Sequence, residues 1–301
     1  MRRKNCAQSY ERHTFLRSLI TNLDMHQMKK NIRFLIKKMS FGLVTLLWTP
    51  MILAQVFQVP PIDKNSLGSA DPTMTFLWEG KDAKAVLLLI PGGEGHIGIT
   101  PDRKDLGGFY KQVLGRLSNP ALSTGSFDVV IFDSPQPLLS SSNYPFSRLT
   151  PDHLSRVESV VLFYKEKLKK PIWLMGHSNG AVSITAFYKD LQKRNKDDLI
   201  EGLIFSGGRN GASFGASINK PLLFLHHEKD GCINTTPNNS QAVFKQSKEI
   251  NLAQTAYQWI STGEPEAKNP CQSGHHMYFG AGHEVAKAIE AFVLPFYSTQ
   301  N

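Results

Sequence analysis

The chain has 301 residues, 41% of them apolar, enough for one large domain or two modest ones with a substantial core. Its formal charge of +9 is unevenly placed: residues 1–54 hold ten Lys+Arg against two Asp+Glu, whereas residues 55–301 hold 24 against 23. The near-neutral body excludes a polyanion-binding surface as the meaning of the net charge, so nucleic acid is not an expected partner.

The basic excess has its own pattern. "MKKNIRFLIKK", from Met28, is positively charged, and the uncharged, mostly apolar run at 39–54 ends on Ile52-Leu53-Ala54, a small-residue cleavage site. That is the layout of a secretory signal peptide, with residues 1–27 an over-long start and export to the periplasm or the exterior as the expectation. The alternative is an uncleaved anchor, since the uncharged stretch continues to Ile62, about the length that spans a bilayer. Pro50, Pro60, Pro61, Gln55 and Gln58 count against it, and no lipid-attachment cysteine follows the run. The expected organisation is an extension and signal peptide over 1–54, a Pro/Asn/Ser-rich linker over 55–72, and one domain over 73–301.

Beyond residue 72, short apolar runs alternate with longer amphipathic ones. Strands are expected at 74–78, 85–90, 127–132, 172–176, 202–207, 221–227 and 255–260, and helices at 104–118, 151–168, 179–193, 238–248 and 282–296. Several strand runs, such as "AVLLLI", are continuously apolar, as strands buried on both faces of a parallel sheet are. The alternation argues for an α/β fold with a doubly wound, mostly parallel sheet. Thr150 reads as an N-cap with Pro151 at the first helical position. Trp173, Phe205 and Phe224 read as core. The short run between residues 207 and 221 leaves no room for a large helical cap there, and the loop at 134–148 is the longest candidate for a small lid, overhanging the site.

Four stretches carry chemistry. In "LLLIPGGEGHIG" a buried strand ends at Ile90 and glycines follow, which lets backbone N–H groups approach a substrate carbonyl; Gly93, with Glu94 as the alternative, is the candidate donor. A Walker-type phosphate-binding loop is excluded, because no Gly-Lys-Ser/Thr is present. In "GHSNG" Ser178 sits between Gly176 and Gly180, after a strand and before a helix, the context a nucleophile on a sharp turn requires. The backbone N–H of Asn179 would be the other oxyanion donor. Serine needs a base and the base an orienting acid. Asp230 in "HHEKDGC" is the expected acid, with Glu228 as competitor, while His226 and His227 read as packing or rim polarity. His276 in "CQSGHHMYFG" is the expected base, His275 remains the alternative, and His283 reads as a surface or capping residue.

Of three cysteines, Cys6 lies upstream of the signal; Cys232 and Cys271 are an even pair that an exported chain could join, the alternative being two buried thiols. A bridge would tie the acid loop to the base loop. No metal-ligand cluster is visible and no cofactor is needed.

Over residues 73–297 the chain resembles the α/β-hydrolases, on "PGGEG", "GHSNG", "HHEKDGC" and "CQSGHHMYFG" in that order. It is most similar to small, capless, exported members related to dienelactone-hydrolase-like and esterase-like proteins. The resemblance implies an eight-stranded, mostly parallel sheet, a Ser178–Asp230–His276 triad and a cysteine bridge between acid and base loops. One departure is Pro91-Gly92 where the family usually has His-Gly. The expected activity is hydrolysis of a small-molecule carboxylic ester through an acyl-enzyme on Ser178. The alternatives are an acyltransferase or amide/peptide hydrolase with the same triad, and a catalytically silent binding protein on the same fold.

Overall fold

A computed structural model of the chain describes residues 54–62, 71–138 and 144–298. The chain divides into two units, Met1–Met51 and Ile52–Asn301. The first, with the basic segment and most of the apolar run read as a signal peptide, lies outside the described residues.

The second unit is built on one eight-stranded sheet. Its strands are β1 (Ala54–Val59), β2 (Thr73–Trp78), β3 (Ala85–Ile90), β4 (Phe127–Asp133), β5 (Ile172–His177), β6 (Gly202–Ser206), β7 (Leu222–His227) and β8 (Thr255–Ile260). They lie in the order β1-β2-β4-β3-β5-β6-β7-β8. β1 and β2 pair antiparallel, as do β2 and β4; every other pair is parallel. Among the described residues four α-helices flank the sheet: α1 (Pro151–Leu168), α2 (Gly180–Lys193), α3 (Pro237–Ile250) and α4 (Gly282–Val293). α1, α2 and α3 cover one face, where Val86, Leu88 and Ile90 of β3 meet Val157, Ile184 and Val243. α4 and the turn at 110–114 cover the other, against Leu87 and Leu89. Successive β3 side chains thus enter different cores, which is why the strand is apolar at every position. Trp173, Phe205 and Phe224 are fully buried in these cores.

α1 has the start expected of it: the Thr150 side chain accepts the His153 N–H, and Pro151 stands where no backbone donor is needed. Three elements differ from the sequence reading. The segment read as a linker begins with β1, paired from Ala54↔Trp78 to Val59↔Thr73. Phe57 on it packs on the Phe163 ring at 5.7 Å. Pro60 and Pro61 end the strand rather than mark a loose lead-in. The helix expected at 104–118 is instead a short π-turn, Tyr110–Leu114, in which the Gly115 N–H reaches the Tyr110 carbonyl at 2.8 Å. Gly108 before it has φ +56°, a left-handed conformation that stops a helix from starting earlier. The last helix ends at Val293 and tightens into a 3-10 turn, Leu294–Tyr297, where Pro295 offers no N–H. Between β6 and β7 there is no helical cap.

Candidate active site

Ser178 is the single residue of the β5–α2 corner with a left-handed backbone, φ +55°. A non-glycine residue there is strained and must be held by its surroundings. The holding groups are plain: its N–H donates to the Ser206 carbonyl at 3.0 Å, and its carbonyl accepts the N–H groups of Ala181 (3.0 Å) and Arg209 (3.2 Å). The flanking glycines are a steric requirement. A Cβ on Gly176 would stand 2.4 Å from the Gly180 carbonyl oxygen, and one on Gly180 2.0 Å from that of Ile90. A Cβ on Gly92 would meet the Ser178 Cβ at 2.7 Å. The loop after β3 therefore comes close to the serine because Gly92 carries no Cβ.

The candidate acid, Asp230, lies in the loop after β7. Asp230 is buried, and each carboxylate oxygen is occupied: Oδ1 accepts the Cys232 N–H (2.9 Å), and Oδ2 accepts the Thr235 hydroxyl (3.2 Å) and the His276 Nδ1–H (2.9 Å). His226 Nε2 lies 3.1 Å from the same Oδ2, close enough for electrostatic attraction but without the alignment of a hydrogen bond. Burial alone would raise the Asp230 carboxyl; the imidazoles of His226 and His276 outweigh it and hold the group well below the ordinary carboxylate range. Glu228, the competing acid, is exposed.

His276 is buried, and with its Nδ1 proton committed to Asp230 its Nε2 has no partner among the described residues. His275 turns elsewhere: its Nδ1 meets the Lys229 carbonyl (3.1 Å), and its ring stacks on His227 at 4.1 Å. Geometry thus separates two neighbours that the sequence left open. His283 is exposed in the first turn of α4. Cys232 and Cys271 are joined, with Cα atoms 4.5 Å apart. The bond ties the loop of Asp230 to the loop of His276.

Ser178 and His276 line one cavity of about 270 Å³, together with Gly92, Gly93, His96 and Tyr110. The π-turn, missed as such in the sequence, is what delivers Phe109 and Tyr110 to this wall. A larger hollow of about 690 Å³ lies over α1 and α2. It contains none of the candidate residues, so size does not single out the cavity that holds Ser178. The N–H groups of Gly93 and Asn179 donate to no acceptor among the described residues, and both residues stand beside Ser178 in space or sequence. The loop at 134–148 does not overhang this cavity among its described residues. Leu138 instead binds the Glu94 carbonyl (2.7 Å), Tyr144 lines the larger hollow, and Arg148 is buried. Residues 139–143 lie outside the description.

Other site residues carried no sequence signal. His177 is buried, stacks on Phe109 at 4.6 Å and lies 4.9 Å from the His276 ring. Burial, then the neighbouring His276, keeps it well below the usual imidazole range and so uncharged. Asp133, at the end of β4, accepts the N–H groups of Ile97 (2.5 Å) and Ile99 (2.6 Å) and so shapes the loop that carries Gly93. Burial pushes its carboxyl up in spite of those bonds. Among the described residues no cluster of ligands could hold a metal ion, and no helix is long and apolar enough to cross a membrane.

No family model and no curated protein sequence matches the chain. Solved structures do. A serine hydrolase without a lid from Xanthomonas campestris aligns with TM-score 0.53 at 12% identity, covering 82% of this chain and 97% of that one. Est1E from Butyrivibrio proteoclasticus aligns with TM-score 0.51 at 17% identity, covering 81% and 100%. A thermophilic carboxylesterase cloned from a metagenomic library aligns with TM-score 0.53 at 12% identity, covering 87% and 96%. Sheet order, the serine corner after β5 and these alignments agree: the chain has the α/β-hydrolase fold.

Proposed function

We propose that the protein is an exported serine hydrolase that cleaves a small carboxylic ester through an acyl-enzyme on Ser178. The observation that carries this reading is the Asp230–His276 hydrogen bond at 2.9 Å, with the His276 Nε2 unpartnered in the same cavity as a strained serine. The Oγ-to-Nε2 hydrogen bond is not made in this structure, and such bonds commonly tighten only around substrate. A structural neighbour that is a carboxylesterase supports the same chemistry.

The steps follow from the groups. His276 Nε2 takes the Ser178 Oγ proton as Oγ attacks the ester carbonyl carbon. The carbonyl π pair moves onto oxygen, and the N–H groups of Gly93 and Asn179 hold that oxyanion; one such donor is worth about 3 kcal/mol of barrier. Asp230 keeps the imidazolium oriented and stabilised without taking its proton. Collapse breaks the ester C–O bond, and the alkoxide leaves as alcohol with the proton from His276. A water molecule then repeats the sequence on the acyl-enzyme, and a carboxylic acid is released. Export is supported by the Cys232–Cys271 bond, which persists in oxidising compartments, and by the N-terminal signal pattern.

The test is hydrolysis of p-nitrophenyl acetate together with labelling by a fluorophosphonate. Both are expected for the native protein and both should vanish in Ser178→Ala. Hydrolysis that survives in Ser178→Ala, or a native protein that neither labels nor hydrolyses, would overturn the proposal. Adding an alcohol or amine acceptor and finding transfer product in place of acid would move the assignment to an acyltransferase.

A further inference from the structure

We infer that Arg148 is a positioning residue of the oxyanion loop, its guanidinium holding the Gly92 and Gly93 carbonyls so that the N–H groups of the same peptide units stay free for the substrate. The inference rests on the ester hydrolysis proposed above and assigns that site one further residue.

Arg148 lies in the 3-10 turn Phe146–Leu149, directly before α1, and is fully buried. No carboxylate among the described residues pairs with it. Burial lowers its pKa only to about 10, so it enters the interior charged. A lone buried cation is costly, and a packing role would be met by an apolar side chain. Its donors show what it holds instead. Nη2 reaches the carbonyls of Gly93 (3.1 Å) and Gly92 (3.3 Å), and Nη1 reaches the Ser183 hydroxyl (2.9 Å). A Cβ on Gly95 would stand 2.8 Å from Nη2, so that glycine makes the room.

The consequence is one of peptide geometry. In a trans peptide the C=O and N–H point in opposite directions, and no peptide bond among the described residues is cis. A Gly92 carbonyl turned to Arg148 sends the Gly93 N–H the other way. A Gly93 carbonyl held by Arg148 and by the Asn179 amide (3.0 Å) does the same for the Glu94 N–H. Both residues line the Ser178 cavity. A cation on the carbonyl oxygens also polarises these peptides and makes their N–H groups stronger donors. Behind Arg148 the Nη1 contact is supported in turn, although the Arg148 Nε and the His153 Nδ1 find no partner among the described residues. His153, kept neutral by burial and then by Arg148 and Arg156, stands 2.8 Å from the Ser183 hydroxyl. Its Nε2 can accept the Ser183 proton, which turns the Ser183 lone pairs toward the guanidinium.

The experiment compares Arg148→Met, Arg148→Lys and Ser183→Ala with the native protein, on p-nitrophenyl acetate and on an aryl boronic acid that forms a tetrahedral adduct with the serine. Arg148→Met should lower kcat by about 10- to 100-fold, less than the 10²- to 10³-fold of deleting a donor outright. KM should stay within about threefold, and boronate affinity should fall in step with kcat. Arg148→Lys should recover part of the loss, and Ser183→Ala should show a smaller loss of the same kind. A folded Arg148→Met with unchanged kcat would overturn the inference, as would a loss carried by KM with boronate affinity intact. If Arg148→Met does not fold, Arg148→Lys and Ser183→Ala decide by the same two readings. A Ser178→Ala control that retains hydrolysis would instead sink the parent proposal.

Discussion

Two residues at the site hold conformations or charge states that they would not adopt alone. Ser178 is forced into a left-handed backbone by bonds to Ser206, Ala181 and Arg209. Asp230 is buried yet kept ionised by Cys232, Thr235 and two imidazoles. Replacing Asp230 by Asn leaves the shape and removes the charge that orients His276. The expected loss in kcat is about 10³- to 10⁴-fold, read by steady-state hydrolysis against a native-like melting curve. The same carboxylate has a stability consequence. Its pKa is lower folded than the ordinary value of 3.8, so it contributes stability above that pH and loses it progressively below. Between about pH 5 and pH 2 the native protein should therefore lose more stability than Asp230→Asn, measured by urea unfolding at each pH.

At the scale of elements, the site is a junction of strand ends. β3, β5 and β7 are parallel neighbours or near neighbours, and the loops leaving their C-terminal ends bring Gly93, Ser178 and Asp230 to one rim. The corner between β5 and α2 is the tightest, and Gly180→Ala would drive a Cβ into the Ile90 carbonyl. A loss of about 2–3 kcal/mol in unfolding free energy is expected, with activity falling more than stability because Ser178 shifts with the corner. The disulfide acts between elements. It closes a loop with a sequence separation of 39 residues, and reduction or Cys232→Ser should cost about 3–4 kcal/mol on a loop-entropy argument. Equal stability of oxidised and reduced protein in chemical denaturation would refute that.

For the whole described unit, the unexpected finding is that the sheet extends to Ala54. Phe57 packs with Phe163 and Tyr164, and β1 covers the edge of β2. Cleavage after Ala54 would leave nearly all of β1 in place. A chain starting at Gln55 should melt like the longer protein, while one starting at Pro60 should melt several degrees lower, its β2 edge and aromatic contacts exposed. N-terminal sequencing of protein recovered outside the cytoplasm should begin at Gln55 if the signal is removed there.

The parts of this protein written locally were legible residue by residue. Continuous apolar runs announced strands covered on both faces, Thr150-Pro151 announced a helix start, and Gly176 to Gly180 announced a sharp corner, because period, capping and turn sterics act over a few neighbours. What required the tertiary structure joins distant positions. The sequence favours His276 but keeps His275 as the alternative, and the position of Asp230, 46 residues away in sequence, is what separates them in space. β1 needed its partner β2 to be seen as a strand. Arg148 had the look of a loop residue until the fold placed its guanidinium beneath Gly92 and Gly93. The physical reason is that hydrogen bonding and charge burial depend on distances through space, and the distances that matter at this site are set by the sheet.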